Sequence, residues 1–105
     1  LILGFTFKED CPDIRNTKVA NLVNTLKEYN LRVTIYDPWA DPERVKDIYG
    51  FELVNQLPED KYDALVLAVA HKKFEKISWK MLVKEKNVIY DIKGYIPREI
   101  IDGRL

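Results

Sequence analysis

Six consecutive apolar residues, Ala64 to Val69 (ALVLAV), constrain this chain more than any other segment. A half-exposed strand alternates apolar and polar side chains, whereas an unbroken apolar run fits a strand covered on both faces. Such strands belong to parallel sheets whose connections pack above and below them. The remaining segments agree. Leu1 to Thr6 reads as a first strand. Val19, Leu22, Val23 and Leu26 follow the i, i+3, i+4, i+7 spacing of a helix, with Asn16 or Thr17 as its cap and Asn30 as a left-handed stop. Arg32 to Tyr36 is a second strand. Asp41-Pro42 opens a short helix that Gly50 ends, and Phe51 to Val54 is a short edge strand. Ile77 to Lys86 reads as helical, and Val88 to Ile92 as a last strand. Strands alternating with helices predict right-handed crossovers. The expected fold is α/β: a three-layer, Rossmann-like domain with a five-stranded parallel sheet in the order 3-2-1-4-5.

The chain has 105 residues, enough for one domain with its own core, and residues 1–105 show no linker, repeat or low-complexity segment. Seventeen basic residues balance 17 acidic ones, which argues against a nucleic-acid or membrane-surface binder. No apolar run reaches membrane-spanning length. The single cysteine, Cys11, rules out an internal disulfide, so a reducing, cytoplasmic setting is expected. Residue 1 is Leu and already lies in a strand-like run, so the expectation is a piece of a longer protein.

In this topology the C-terminal ends of the strands gather the ligand-binding loops on one edge. They carry Phe7 and Lys8 after the first strand, Asp37 and Trp39 after the second, His71 after the fourth and Lys93 after the fifth. The segment GFTFKEDCPDIRNTK, residues 4–18, sets Lys8, Arg15 and Lys18 around a strand-to-helix turn. A helix N-terminus flanked by cations suits an anion, with phosphate the obvious candidate. Lys8 and Lys93 are placed to meet near the switch point as point charges for a diphosphate. The dinucleotide fingerprint is missing, because only Gly4 follows the first strand where G-x-G-x-x-G would stand. Without those glycines, Asp37 reads as a turn residue before Pro38 rather than a ribose ligand.

Other chemistries fit less well. One His and one Cys do not make a zinc site, and Cys11 reads as a free structural thiol. Acids after the first strand and Lys93 after the fifth are reminiscent of a phosphoacceptor receiver domain. That reading needs an Asp ending the central third strand, and neither FELVNQ nor LVLAVAH supplies it.

The pattern G-F-x-F-K-x-x-x-x-D-x-R-x-T is followed, after a helix, by V-x-I-Y-D-P. It is carried by Gly4, Phe5, Phe7, Lys8, Asp13, Arg15 and Thr17, then Val33, Ile35, Tyr36, Asp37 and Pro38. It resembles the C-terminal domain of the UDP-glucose/GDP-mannose dehydrogenase family, and the likeness continues through YDALVLAVAHKKF and VIYDIKG. Among its members the chain most resembles those that oxidise UDP-N-acetylhexosamines for bacterial surface polysaccharides. The resemblance implies an enzyme that oxidises the C6 alcohol of a UDP-sugar to a carboxylate in two NAD-dependent steps. It implies an N-terminal domain for NAD, a central dimerising domain, a homodimer or higher homo-oligomer, and this domain for the nucleotide of the donor. Phe7 and Lys8 match the residues that contact the UDP-sugar, and Arg15 matches the one that reaches toward NAD across the domain cleft. Lys93 stands where some members carry a substrate-touching Arg, in Asp91-Ile92-Lys93 instead of D-G-R. Lys cannot reproduce the bidentate contacts of Arg. The family's catalytic cysteine belongs to an upstream motif, so Cys11 is not the nucleophile and no catalytic residue is expected in this chain. The alternative is a free-standing nucleotide-binding or assembly module without catalysis.

Overall fold

The structure is a computed structural model that describes residues 1–15 and 17–104. Its strands are β1 (Ile2–Leu3), β2 (Ile35–Tyr36), β3 (Leu53–Val54), β4 (Tyr62–Leu67), β5 (Val83–Asp91) and β6 (Gly103–Arg104). Two α-helices, α1 (Val19–Glu28) and α2 (Pro42–Tyr49), follow β1 and β2. Every ladder is parallel, and the sheet runs β3-β2-β1-β4-β5-β6. The five expected strands stand in the expected order, and a two-residue sixth extends the edge beyond β5.

Period-two alternation divides the core between the sheet's two faces. Ile2, Ile35 and Leu53 face one side, with Ala20 and Val23 of α1 and Val45 of α2. Leu1, Leu3, Tyr36, Leu65 and Leu67 face the other, with Phe74, Trp79 and Leu82. Among the described residues that second layer contains no α-helix. It is built on two 3-10 turns, Lys72–Lys76 and Trp79–Leu82.

The helix expected over residues 77–86 is therefore replaced. Val83 pairs with Tyr62 in the β4–β5 ladder, so the backbone must already be extended there. Trp79 and Leu82 anchor the short crossover instead. The helix boundaries follow local chemistry. Asp41 caps α2 by accepting the Glu43 N–H at 3.0 Å, and Gly50 ends it in the left-handed region. Asn30, with φ 61°, follows α1. Thr17 Oγ1 accepts the Val19 N–H at 3.1 Å; the other candidate cap, Asn16, lies outside the described residues.

Two glycines permit close approaches that set the sheet. Gly4 has φ +94°, and a Cβ there would lie 2.6 Å from the Val69 Cβ, where β1 leaves the sheet beside β4. A Cβ on Gly103 would meet the Tyr90 ring at 2.6 Å, so β6 pairs only because that side chain is absent. The C-terminal residues of all six strands lie in one row, Val54, Tyr36, Leu3, Leu67, Asp91 and Arg104. The loops that follow them open on a single edge.

Candidate functional site

A cleft of about 380 Å³ opens on that edge. Thr6 and Phe7 after β1, Thr17 and Lys18 at the start of α1, Val69 after β4 and Lys93 after β5 are among the residues that line it. Strand order reverses between β1 and β4, so the cleft lies at the topological switch point. Phe7 is 56% exposed, a large apolar ring turned outward rather than packed in the core. Lys18 and Lys93 bring two cations to the N-terminal end of α1, where the helix dipole favours an anion. Of the sequence-derived candidates, Phe7 and Lys93 meet here. Lys8 is exposed in the same loop as Phe7 but does not line the cleft wall.

Beneath the β1 loop lies a buried polar network. Asp37 Oδ2 accepts the N–H groups of Phe5 (2.7 Å) and Thr6 (3.0 Å), and Oδ1 accepts those of Trp39 (2.7 Å) and Ala40 (3.3 Å). His71 Nε2 lies 2.9 Å from Asp37 Oδ2 and 3.2 Å from Thr6 Oγ1. Asp37 and His71 are fully buried. Burial pushes the Asp37 carboxyl upward, but the His71 hydrogen bond and the Phe5 and Trp39 N–H groups outweigh it and leave the pKa below the usual carboxylate value. The turn role expected for Asp37 is present in its bonds to Trp39 and Ala40. The same carboxylate also ties β2 to the β1 and β4 loops.

A second buried carboxylate shapes the β5 loop. Asp91 Oδ1 accepts the N–H groups of Lys93 and Gly94, both at 2.9 Å, and Oδ2 those of Tyr95 (2.5 Å) and Ile96 (2.6 Å). The turn so formed presents Lys93, whose Nζ lies 3.5 Å from Glu9 Oε1 on the β1 loop. Backbone hydrogen bonding and the Lys93 charge hold Glu9 below its ordinary pKa, against a smaller opposing effect of burial. An anion entering the cleft therefore competes with Glu9 for Lys93.

A family model described as the UDP-glucose/GDP-mannose dehydrogenase family, UDP binding domain, matches residues 1–98. The chain belongs to that family. It is 44% identical over 108 aligned positions to the UDP-N-acetyl-D-glucosamine 6-dehydrogenase of Salmonella typhi, which covers all of this chain and 25% of the relative. The enzyme of the same name from Pseudomonas aeruginosa is 41% identical, again over all of this chain and 26% of its own length. Protein CapL of Staphylococcus aureus is 42% identical over 90% of this chain and 23% of its own length. The chain thus spans about a quarter of the length of these curated relatives.

In this UDP-binding-domain fold Arg15 stands apart from the cleft. Its Nε and one terminal nitrogen each donate to Asp13, at 3.0 Å, and its side chain is 76% exposed. The Arg15 hydrogen bonds hold the Asp13 pKa down at about 2. Arg15, Arg44 and the half-buried free thiol Cys11 surround a separate shallow depression. Among the described residues, no group of three or more His, Cys, Asp or Glu is arranged to hold a metal ion, and no helix is long and apolar enough to cross a membrane.

Sequence reasoning singled out Phe7, Lys8, Arg15 and Lys93 and missed three contributions. Lys18 was noted as a cation but not placed in the cleft. The Asp91 turn carries only a weak signal, an Asp shortly before Gly94. The Asp37–His71 pair joins residues 34 apart, and only the coincidence of the single His with a strand end pointed to it.

Proposed function

We propose that this domain binds the UDP portion of a nucleotide-sugar donor within a longer NAD-dependent UDP-sugar 6-dehydrogenase. The observation that carries the reading is the convergence of Phe7, Lys18 and Lys93 on one cleft at the start of α1. The apolar wall, with Phe7, Leu22, Val69 and Ile92, suits a flat base and sugar. Lys93 and Lys18, with Lys8 on the adjoining loop, suit a diphosphate. The role is binding and orientation: remote contacts to the nucleotide fix the hexose C6 against catalytic groups elsewhere in the protein. The donor is a UDP-hexose or UDP-N-acetylhexosamine, its product is the uronic acid for surface polysaccharide, and the protein works in the cytoplasm as a homodimer or higher homo-oligomer.

NAD does not fit the edge of this chain in the ordinary Rossmann manner. The loop after β1 lacks the glycines that admit a pyrophosphate, and Asp37, in the position of the ribose-binding acid, is buried with both oxygens bonded to backbone N–H groups. In this reading, which rests on the family resemblance, NAD would be held by another domain of the longer protein and would take up the hydride there. Arg15, exposed and directed away from the core, is the group of this chain that reaches toward it.

The test is an activity screen of the full-length protein against UDP-sugars with NAD. Two NAD reduced per sugar, with a carboxylate product, is the expected result. Absence of turnover across the panel overturns the enzyme reading, and turnover by this chain alone that Cys11→Ser abolishes overturns the assignment of a purely binding role to this domain.

A further inference from the structure

The His71 imidazole holds both ends of the segment that carries Phe7 and Lys8. Its Nδ1 lies 2.8 Å from the Asp10 backbone nitrogen and accepts that N–H. The Nδ1 atom is therefore unprotonated, and the proton sits on Nε2, directed at Asp37 Oδ2 (2.9 Å) and Thr6 Oγ1 (3.2 Å). The Thr6 hydroxyl, accepting from His71, donates its own proton to the Lys8 carbonyl at 3.0 Å. One ring thus fixes Asp10 on one side of the loop and, through Thr6, Lys8 on the other. Asp10 has φ 55°, an uncommon conformation for a residue with a side chain. Its Oδ1 also accepts the Lys72 N–H at 2.8 Å, so the loop end is tied to the residue that follows His71. The ring itself is packed edge-on to Phe74, centroids 5.3 Å apart, and is fully buried.

We infer that His71 is a positioning residue for the donor: its Nδ1 acceptor holds the Phe7–Lys8 loop in the geometry that meets UDP. The inference rests on the proposed donor site and goes beyond it, because His71 is fully buried, does not line the cleft and acts through Asp10 and Thr6. Any bulky ring at position 71 fills the core. The acceptor at the Nδ1 position fixes the Asp10 end of the loop, and the Nε2 contact with Thr6 supports the Lys8 end.

Two substitutions separate the two nitrogens. In His71→Asn the side-chain oxygen can occupy the Nδ1 position and keep the Asp10 bond. In His71→Gln the amide nitrogen can occupy the Nε2 position and keep the Asp37 bond. In the full-length enzyme His71→Gln should raise the UDP-sugar KM, and the Kd for UDP alone, about three- to tenfold, with the effect in KM rather than kcat. His71→Asn should stay closer to wild type in both constants even where its melting temperature falls as far. Thr6→Val, which removes the tie to the Lys8 carbonyl and leaves the ring in place, should also weaken UDP binding and keeps the inference testable if either position 71 variant fails to fold. Equal UDP affinity in wild type, His71→Gln and Thr6→Val overturns the positioning role. Loss of affinity that follows thermal stability alone, with Asn and Gln alike, overturns it too. A wild-type enzyme that does not bind UDP refutes the donor site itself, a result distinct from either.

Discussion

Asp37 Oδ2 lies 2.9 Å from His71 Nε2, and neither side chain is exposed to solvent. The pair joins the ends of β2 and β4 under the loop of β1, and its chemistry makes the fold sensitive to acid. Burial raises the Asp37 pKa, but the bonds from His71 and from the Phe5 and Trp39 N–H groups bring it below the ordinary value of 3.8. As pH falls, the unfolded chain takes up this proton before the folded one does. The stabilisation is therefore complete above about pH 5 and is lost as pH falls below 3.8 toward the native pKa. Asp37→Asn sets an amide N–H against donors already there and should destabilise by roughly 2–4 kcal/mol at pH 7. Urea denaturation of both proteins at pH 7 and pH 3 should show the gap narrowing in acid. A gap independent of pH contradicts the assignment.

Gly4→Ala places a methyl group 2.6 Å from the Val69 Cβ at φ +94°. Backbone strain and overpacking act together, so a loss of about 2–4 kcal/mol is expected in denaturant unfolding. A loss under about 0.5 kcal/mol, the range of an ordinary surface change, shows that the β1–β4 junction relaxes freely.

Arg15→Ala separates an interdomain role from a local one. The Arg15–Asp13 pair is exposed and contributes little to folding. The melting temperature of this domain should barely move, while the NAD KM of the full-length enzyme rises about tenfold, the scale of one lost charge-assisted contact. A fall of several degrees with NAD affinity unchanged makes Arg15 a structural partner of Asp13 only.

Elements with local causes were legible in the sequence. Asp41-Pro42 and Gly50 bound α2 through their own capping chemistry, and the ALVLAV run announced β4, although Ala64 is exposed and Val66 only half-buried, so one face of that strand is covered only in part. The strand order matches the Rossmann-like arrangement expected from alternating strands and helices. What escaped depends on partners distant in the chain. Residues 77–86 carry helix-compatible spacing, but Val83 is drawn into an extended ladder by Tyr62. The β6 strand exists because Asp102 bonds the Ile89 backbone and Gly103 clears the Tyr90 ring. Of the residues that the family-matching motifs marked, Phe7 and Lys93 line the cleft, Lys8 lies on the adjoining loop and Arg15 stands apart. The carboxylates that shape their loops, Asp37 and Asp91, look in sequence like ordinary turn residues.

The central claim is that the cleft between the ends of β1, β4 and β5 receives the diphosphate of the donor. The most direct measurement is the Kd of the full-length protein for UDP in wild type, Lys8→Ala and Lys93→Ala, by calorimetry at fixed salt. Lys8→Ala should weaken binding by roughly 1.5–3 kcal/mol, as for a lost charge-assisted hydrogen bond. Lys93→Ala should weaken it by less, because its ammonium must leave Glu9 to reach a phosphate. Unchanged UDP affinity in both variants would contradict the claim and remove the site.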